Sequence, residues 1–201
     1  MTASVPTFTP VRRAMALTIT LLMLPFLIAF GLYWFEWRPE KLSNHGELIQ
    51  PPLALPESGL SKADGSPLPT EELRRKWTLV LISKTPCDNA CQHDLHQMRQ
   101  VQVALNKEMV RLRRVLIGSS VSALAADPAL PELRRSYPDL LIAAPNTDAQ
   151  GTAWRNAVDG TNHRFYVIDP LGNVMMRYTE KPDMAGMLND LERLLKYSWV
   201  G

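Results

Sequence analysis

The sequence has few cysteines, little net charge and no internal repeat. These features limit the classes of protein to which the chain can belong. Lys and Arg exceed Asp and Glu by a formal charge of only +2, and the two signs are interspersed, so nucleic acid is not an expected partner. A length of 201 residues leaves room for one globular domain and an accessory segment, which argues against two domains. Any thiol chemistry has to use the only 2 cysteines.

Charged residues are also absent from residues 14–35, and a helix of that length spans the roughly 30 Å hydrocarbon core of a bilayer. Arg12 and Arg13 precede the stretch, and its far end is aromatic (Tyr33, Trp34, Trp37), which is typical of a span with a cytoplasmic N-terminus. A cleaved signal peptide is the alternative, but its apolar run is usually only about 7–15 residues. We predict that residues 1–13 are a cytoplasmic N-terminus and that residues 14–37 are a transmembrane anchor.

The next part of the chain changes from irregular to periodic. Residues 38–70 contain many Pro, Gly, Ser and Asn residues, which indicates a tether followed by loop structure. The run WTLVLIS from Trp77 predicts a strand buried on both faces, and a helical periodicity follows with Asn89 and Gln92 as its capping box. A second apolar run over residues 114–119 completes a strand, helix and strand with a parallel pair.

The C-terminal part predicts a hairpin and a last helix. Residues 164–169 and 173–178 flank a Pro-Leu-Gly turn, which indicates two antiparallel strands. Asp127 is the predicted N-cap of a helix before this hairpin, and a final amphipathic helix begins near Asp183. Residues 71–201 therefore form one α/β domain.

The two cysteines, Cys87 and Cys91, lie in the sequence TPCDNAC, directly after the buried strand and at the start of the helix. The positive end of the helix dipole favours the thiolate form of Cys87, and Cys91 is expected to be the more buried partner because it shares the apolar face of the helix. Two thiols at this spacing can have one of three uses: they can close a structural disulfide, exchange disulfides with a partner, or bind a soft metal ion. The spacing alone does not decide among them.

These features resemble the Sco/SenC family of thioredoxin-fold proteins. The resemblance rests on the strand, the three-residue loop between the cysteines, the long helix, the second strand, the Asp-Pro helix start at Asp127 and the Asp-Pro-x-Gly turn at Asp169. It covers roughly residues 77–196 and extends in layout to the N-terminal anchor. It implies an α/β fold with a thioredoxin-like sheet and flanking helices, preceded by one N-terminal transmembrane helix.

Members of that family bind copper through the two cysteines and a histidine near the hairpin, which implies Cys87, Cys91 and His163 as metal ligands in this chain. The position of the family's histidine is occupied here by Thr161. His163 lies two residues later, and this shift keeps it on the same face of an extended strand.

The resemblance implies that the protein is a membrane-anchored copper-binding assembly factor, or metallochaperone, for cytochrome c oxidase, with copper as its metal and an oxidase subunit as its partner. With the anchor, it implies a single-pass protein of the inner membrane whose C-terminal domain lies in the periplasm.

Two other functions stay open. In the first, the protein is a periplasmic thiol:disulfide oxidoreductase that acts on oxidase or cytochrome cysteines, with Cys87 attacking and Cys91 resolving, and both cysteines are then catalytic. In the second, it is a tethered scaffold that uses neither thiol. The sequence does not decide whether the protein is an enzyme.

Overall fold

The structure is a computed structural model and describes residues 10–35, 44–83, 86–158, 163–179 and 181–199, without the side chains of Val11 and His163. The chain divides into two compact units, Met1–Ser43 and Asn44–Gly201. In the first unit, helix α1 (Pro10–Trp34) includes the stretch Arg12–Trp34, which is long and apolar enough to cross a membrane, with a mean hydropathy of 2.3. The last two residues of the predicted anchor, 36 and 37, lie outside the described residues.

The second unit is an eight-stranded mixed sheet with helices on both faces. Its elements are, in chain order, β1 (Glu47–Ala54), β2 (Leu60–Lys62), β3 (Pro67–Leu68), β4 (Trp77–Ile82), α2 (Asn89–Ala104), β5 (Leu112–Ile117), α3 (Val121–Ala125), α4 (Leu130–Ser136), β6 (Leu141–Pro145), α5 (Ala149–Ala157), β7 (His163–Ile168), β8 (Asn173–Thr179) and α6 (Met184–Tyr197). The strand order is β1-β8-β7-β4-β5-β6-β2-β3, with β4, β5 and β6 parallel and the other neighbours antiparallel.

Strand β4 lies inside the sheet and packs against a separate apolar cluster on each face. Leu79 and Leu81 point into one cluster with residues of α2 and α6, whereas Val80 points into the other cluster, which contains Trp154 of α5. All three leucine and valine side chains are fully buried. The prediction of a strand buried on both faces is confirmed, and burial of such side chains from both sides is worth about 1.5–3 kcal/mol each.

The α/β, thioredoxin-like fold class, the parallel strand pair and the hairpin are confirmed. At the turn of the hairpin, Asp169 accepts hydrogen bonds from the backbone N–H groups of Leu171 and Asn173, at 2.9 and 2.8 Å. Gly172 has a φ of +94° there, a conformation that favours glycine. The hairpin therefore forms because local turn chemistry and strand patterning agree.

The prediction missed the strands within residues 38–70. Strand β1 is the outermost strand beside β8, and its pairing is irregular between Leu48 and Leu53, the interval that holds Pro51 and Pro52. Proline cannot donate to a strand ladder and is tolerated at sheet edges. The composition that indicated a tether is therefore compatible with an edge strand.

A buried carboxylate fixes the beginning of the second unit onto α6. Asp190 is only 3% exposed and accepts hydrogen bonds from the backbone N–H groups of His45 and Gly46, at 2.9 and 2.8 Å. The hydroxyl of Tyr178 donates to the same carboxylate at 3.1 Å. Burial, together with the charge of Asp190, raises the pKa of Tyr178. Asp190 of α6 thus connects this helix to β8 and to the segment that precedes β1.

Replacing Asp190 with alanine is expected to destabilise the domain by about 3 kcal/mol, because buried donors lose a charged acceptor. Urea unfolding of the detergent-solubilised protein measures this loss, and hydrogen exchange of the His45 and Gly46 amides should accelerate. The control is Asp183→Ala, which removes the exposed N-cap of the same helix and is expected to cost about 1 kcal/mol. Unchanged exchange at Gly46 in Asp190→Ala would contradict the assignment.

Candidate thiol and copper site

The two cysteines lie where β4 leads into α2. Cys87 immediately precedes the N-cap residue of α2, Asp88, and Cys91 lies in the first turn of the helix. The Asp88 carboxylate accepts a hydrogen bond from the Cys91 backbone N–H at 2.9 Å. The capping box predicted to start at Asn89 is therefore wrong by one residue. The N-cap is Asp88, whose side chain accepts from the third N–H group of the helix.

Cys87 and Cys91 form a disulfide, with their Cα atoms 5.1 Å apart. Cys87 is 5% exposed and Cys91 is 1% exposed, which agrees with the prediction that Cys91 is the more buried of the two. In this oxidised state neither sulfur is a thiolate, so nucleophilic attack by the pair or metal ligation first requires reduction.

A second carboxylate holds the other side of the cysteine loop. Asp127 accepts a hydrogen bond from the Cys87 backbone N–H at 2.8 Å and one from the Ala129 N–H at 2.9 Å, and it is 8% exposed. Asp127 was predicted as the N-cap of a helix. The structure starts α4 later, at Leu130, and the Asp127 carboxylate instead links this loop to the cysteine loop.

A crevice of about 10 Å³ lies beside Cys87 and is lined by residues that include Ser83, Gly118 and Asp127. A space of this size holds about one water molecule.

The predicted third ligand, His163, opens strand β7 and pairs with Thr179 of β8. Because β7 runs antiparallel to β4, with Phe165 opposite Leu81, its first residues lie at the same end of the sheet as the end of β4. The side chain of His163 and the whole of Thr161 lie outside the described residues. Ligation by His163 stays a prediction.

An ion pair lies next to both predicted ligand segments. Arg164 Nη1 is 3.0 Å from Asp94 Oδ2, and Asp94 follows Cys91 on α2. The pKa of Asp94 is raised, because the effect of burial is larger than the opposing effect of the positive charge of Arg164. Sequence reasoning missed this pair and the contact between Asp127 and the Cys87 amide, because each joins residues whose proximity only the fold creates. The contact between Asp88 and the Cys91 amide is local, and the identity of Asp88 as a good N-cap residue was the signal that could have found it.

The two histidines of α2 lie outside the site. His93 and His96 are exposed, and their rings lie 3.3 Å from the amides of Gln97 and Gln100. Within the described ranges, no group of three or more His, Cys, Asp or Glu side chains is arranged to hold a metal ion.

The fold and the site define a thioredoxin-like protein with a cysteine pair at the start of the first domain helix. The chain belongs to the family of transmembrane-like, thioredoxin-like C-terminal domains, whose sequence model matches residues 77–198. A comparison with curated protein sequences gave no match.

Solved structures with the same fold confirm the resemblance to Sco/SenC proteins. Yeast Sco1 with copper bound is 20% identical, with a TM-score of 0.57 over 75% of this chain and 96% of that chain. An SCO1/SenC family lipoprotein from Bacillus anthracis is 18% identical, with a TM-score of 0.51 over 73% and 98%. BsSco, described as a Sco family cytochrome c oxidase assembly protein with a disulfide switch, is 16% identical, with a TM-score of 0.50 over 76% and 100%. At these identities the likeness establishes the fold.

Replacing Asp127 with alanine is expected to destabilise the oxidised protein by about 1–3 kcal/mol, because the buried N–H of Cys87 loses its acceptor. Reduction of the disulfide by a phosphine should also become faster, because the loop is held less firmly. Urea unfolding and the time course of thiol appearance measure the two effects.

Asp148→Ala is the matched control, since Asp148 caps α5 by accepting from the Gly151 N–H at 2.7 Å. It should lower stability by about 1 kcal/mol without changing the reduction rate. Equal reduction rates in Asp127→Ala and the wild type would contradict the role given to Asp127.

Proposed function

We propose that this protein is a membrane-anchored copper-binding assembly factor for cytochrome c oxidase. The observation that carries the proposal is the pairing of Cys87 with Cys91 at the start of α2. Two sulfurs close enough to bond are close enough to bind one ion, and thiolates are the ligands that Cu(I) prefers. Copper is the cargo of such a protein, and no substrate is turned over.

The relatives support the same function. Yeast Sco1 has been solved with copper bound, and BsSco is described as a cytochrome c oxidase assembly protein. We propose that this chain shares both properties, with Cys87, Cys91 and His163 as ligands and an oxidase subunit as the recipient of the metal.

The disulfide sets the order of events. A dithiol reductant converts the Cys87–Cys91 bond into two thiols and is itself oxidised to a disulfide, and loss of both thiol protons then gives the two thiolates that bind Cu(I). Transfer then proceeds by exchange of these thiolates for soft ligands of the recipient.

A thiol:disulfide oxidoreductase is the second candidate, and the closed disulfide favours it. The thiolate of Cys87, the more exposed cysteine, would attack a disulfide of an oxidase subunit or a cytochrome. Cys91 would then attack the mixed disulfide, which closes the Cys87–Cys91 bond and leaves the two target cysteines reduced. This reaction requires neither copper nor His163.

The first experiment measures Cu(I) affinity of the reduced, detergent-solubilised protein by competition with a chromophoric chelator. Cys87→Ser and Cys91→Ser should each weaken binding by more than the roughly 10- to 100-fold that outer-shell changes cost, because a thiolate ligand is lost. His163→Ala should weaken binding less, since both thiolates remain. His96→Ala, which changes an exposed histidine, is the control and should have no effect.

The copper proposal fails if the reduced wild type binds copper no more tightly than Cys87→Ser. In that case, rapid exchange with cysteine peptides of an oxidase subunit would support the oxidoreductase. Normal oxidase assembly in cells that carry both cysteine substitutions would support a scaffold that uses neither thiol.

We further propose that α1 anchors the protein in the inner membrane, with residues 1–13 in the cytoplasm and the C-terminal domain in the periplasm. Arg12 and Arg13 lie in the first turn of α1, before its uncharged stretch, and cytoplasmic flanks are enriched in such residues. Alkaline phosphatase fused to the C-terminus should be active, because it matures only outside the cytoplasm. The protein should also keep its full mass in membranes, whereas a shortened mature form would indicate a cleaved signal peptide.

A further inference from the structure

The beginning of β7 is held by fewer backbone contacts than the rest of the strand. Its ladder with β4 extends from Ile168 to Phe165 and does not include Arg164. On the other side, the pairing with β8 is irregular between His163 and Phe165. Phe165 and the residues after it therefore pair on both sides, whereas His163 pairs with Thr179 of β8 alone and Arg164 lies at the irregularity, where the sheet constrains the backbone less.

A side-chain contact from this part of β7 reaches the helix that carries Cys91. Arg164 directly follows His163, and Asp94 lies almost one helical turn after Cys91, so each partner is adjacent to a proposed ligand segment. The side chains meet at 3.0 Å between Nη1 and Oδ2, and they are only 25% and 14% exposed.

We propose that the Arg164–Asp94 ion pair is a positioning device that fixes the start of β7, and with it His163, against the cysteine-bearing helix α2. This inference rests on the proposed copper function. A partly buried ion pair costs desolvation that offsets much of its attraction, so it adds little to stability while it specifies one arrangement of the two segments. Arg164 and Asp94 are positioning residues and do not bind the ion themselves.

The test compares copper binding and local order in Arg164→Gln and in a matched control, Arg111→Gln. Arg111 is 24% exposed and pairs with Glu108 at 2.8 Å on a different part of the domain. Arg164→Gln should weaken Cu(I) binding roughly tenfold, as loss of an orienting group typically does. It should also accelerate hydrogen exchange of the His163 and Arg164 amides in the metal-free reduced protein.

A double-mutant cycle shows whether Arg164 acts through His163. If it does, His163→Ala combined with Arg164→Gln should bind copper as weakly as His163→Ala alone. Arg164→Lys keeps the charge and should retain most of the affinity, and the exchange of charges by Asp94→Arg with Arg164→Asp should restore part of it. These two variants also test the inference if Arg164→Gln does not fold.

Three outcomes would overturn the inference. Arg164→Gln could weaken binding no more than Arg111→Gln, its effect could add in full to that of His163→Ala, or amide exchange at His163 could stay unchanged. Each of these leaves the copper function intact when Cys87→Ser still binds copper much more weakly than the wild type. If Cys87→Ser binds copper as the wild type does, the proposed function fails and the inference fails with it.

Discussion

The site depends on how β4 satisfies its backbone groups while both of its faces are buried. A strand without access to water must pair along both edges, and β4 does so with parallel β5 and antiparallel β7. Parallel partners end at the same side of a sheet, whereas an antiparallel partner begins there. The cysteine loop after β4, the loop after β5 that leads to Asp127, and the start of β7 therefore converge, although they are far apart in sequence.

This constraint explains which parts of the fold were predictable. The strand β4, the helix after it and the hairpin around Gly172 each carry a local signal in apolar periodicity or turn residues, and all were predicted correctly. Strand β1 carries the opposite signal, because its prolines indicate loop structure and only pairing with β8 makes the segment a strand. The segment that forms α5 is short and only weakly apolar, so its sequence did not predict a helix. In the structure its Trp154 packs into the second core cluster.

Of the residues at the site, only the two cysteines could be predicted from the sequence. Cys87 and Cys91 are a local pair, so their spacing in the sequence indicated their proximity. The contact between Asp127 and the Cys87 amide joins the ends of two different loops, and the sequence indicated instead a helix cap at Asp127. His45 had no assigned role, yet the Asp190 carboxylate binds its amide. Such contacts follow from topology, and a carboxylate in a loop gives no local sign of which distant amide it will accept from.

The two carboxylates change the expected chemistry of the cysteines. The bare end of a helix would favour thiolates through its unpaired amides, but here Asp88 and Asp127 accept from the N–H groups of Cys91 and Cys87 and add negative charge. Negative charge near two sulfurs opposes their conversion to free thiolates, and a bound Cu(I) ion offsets one of the two thiolate charges. The same backbone contacts hold the loop in one arrangement in the oxidised state. Both proposed uses of the pair therefore begin from the same held loop, with Asp88 and Asp127 orienting the two cysteines.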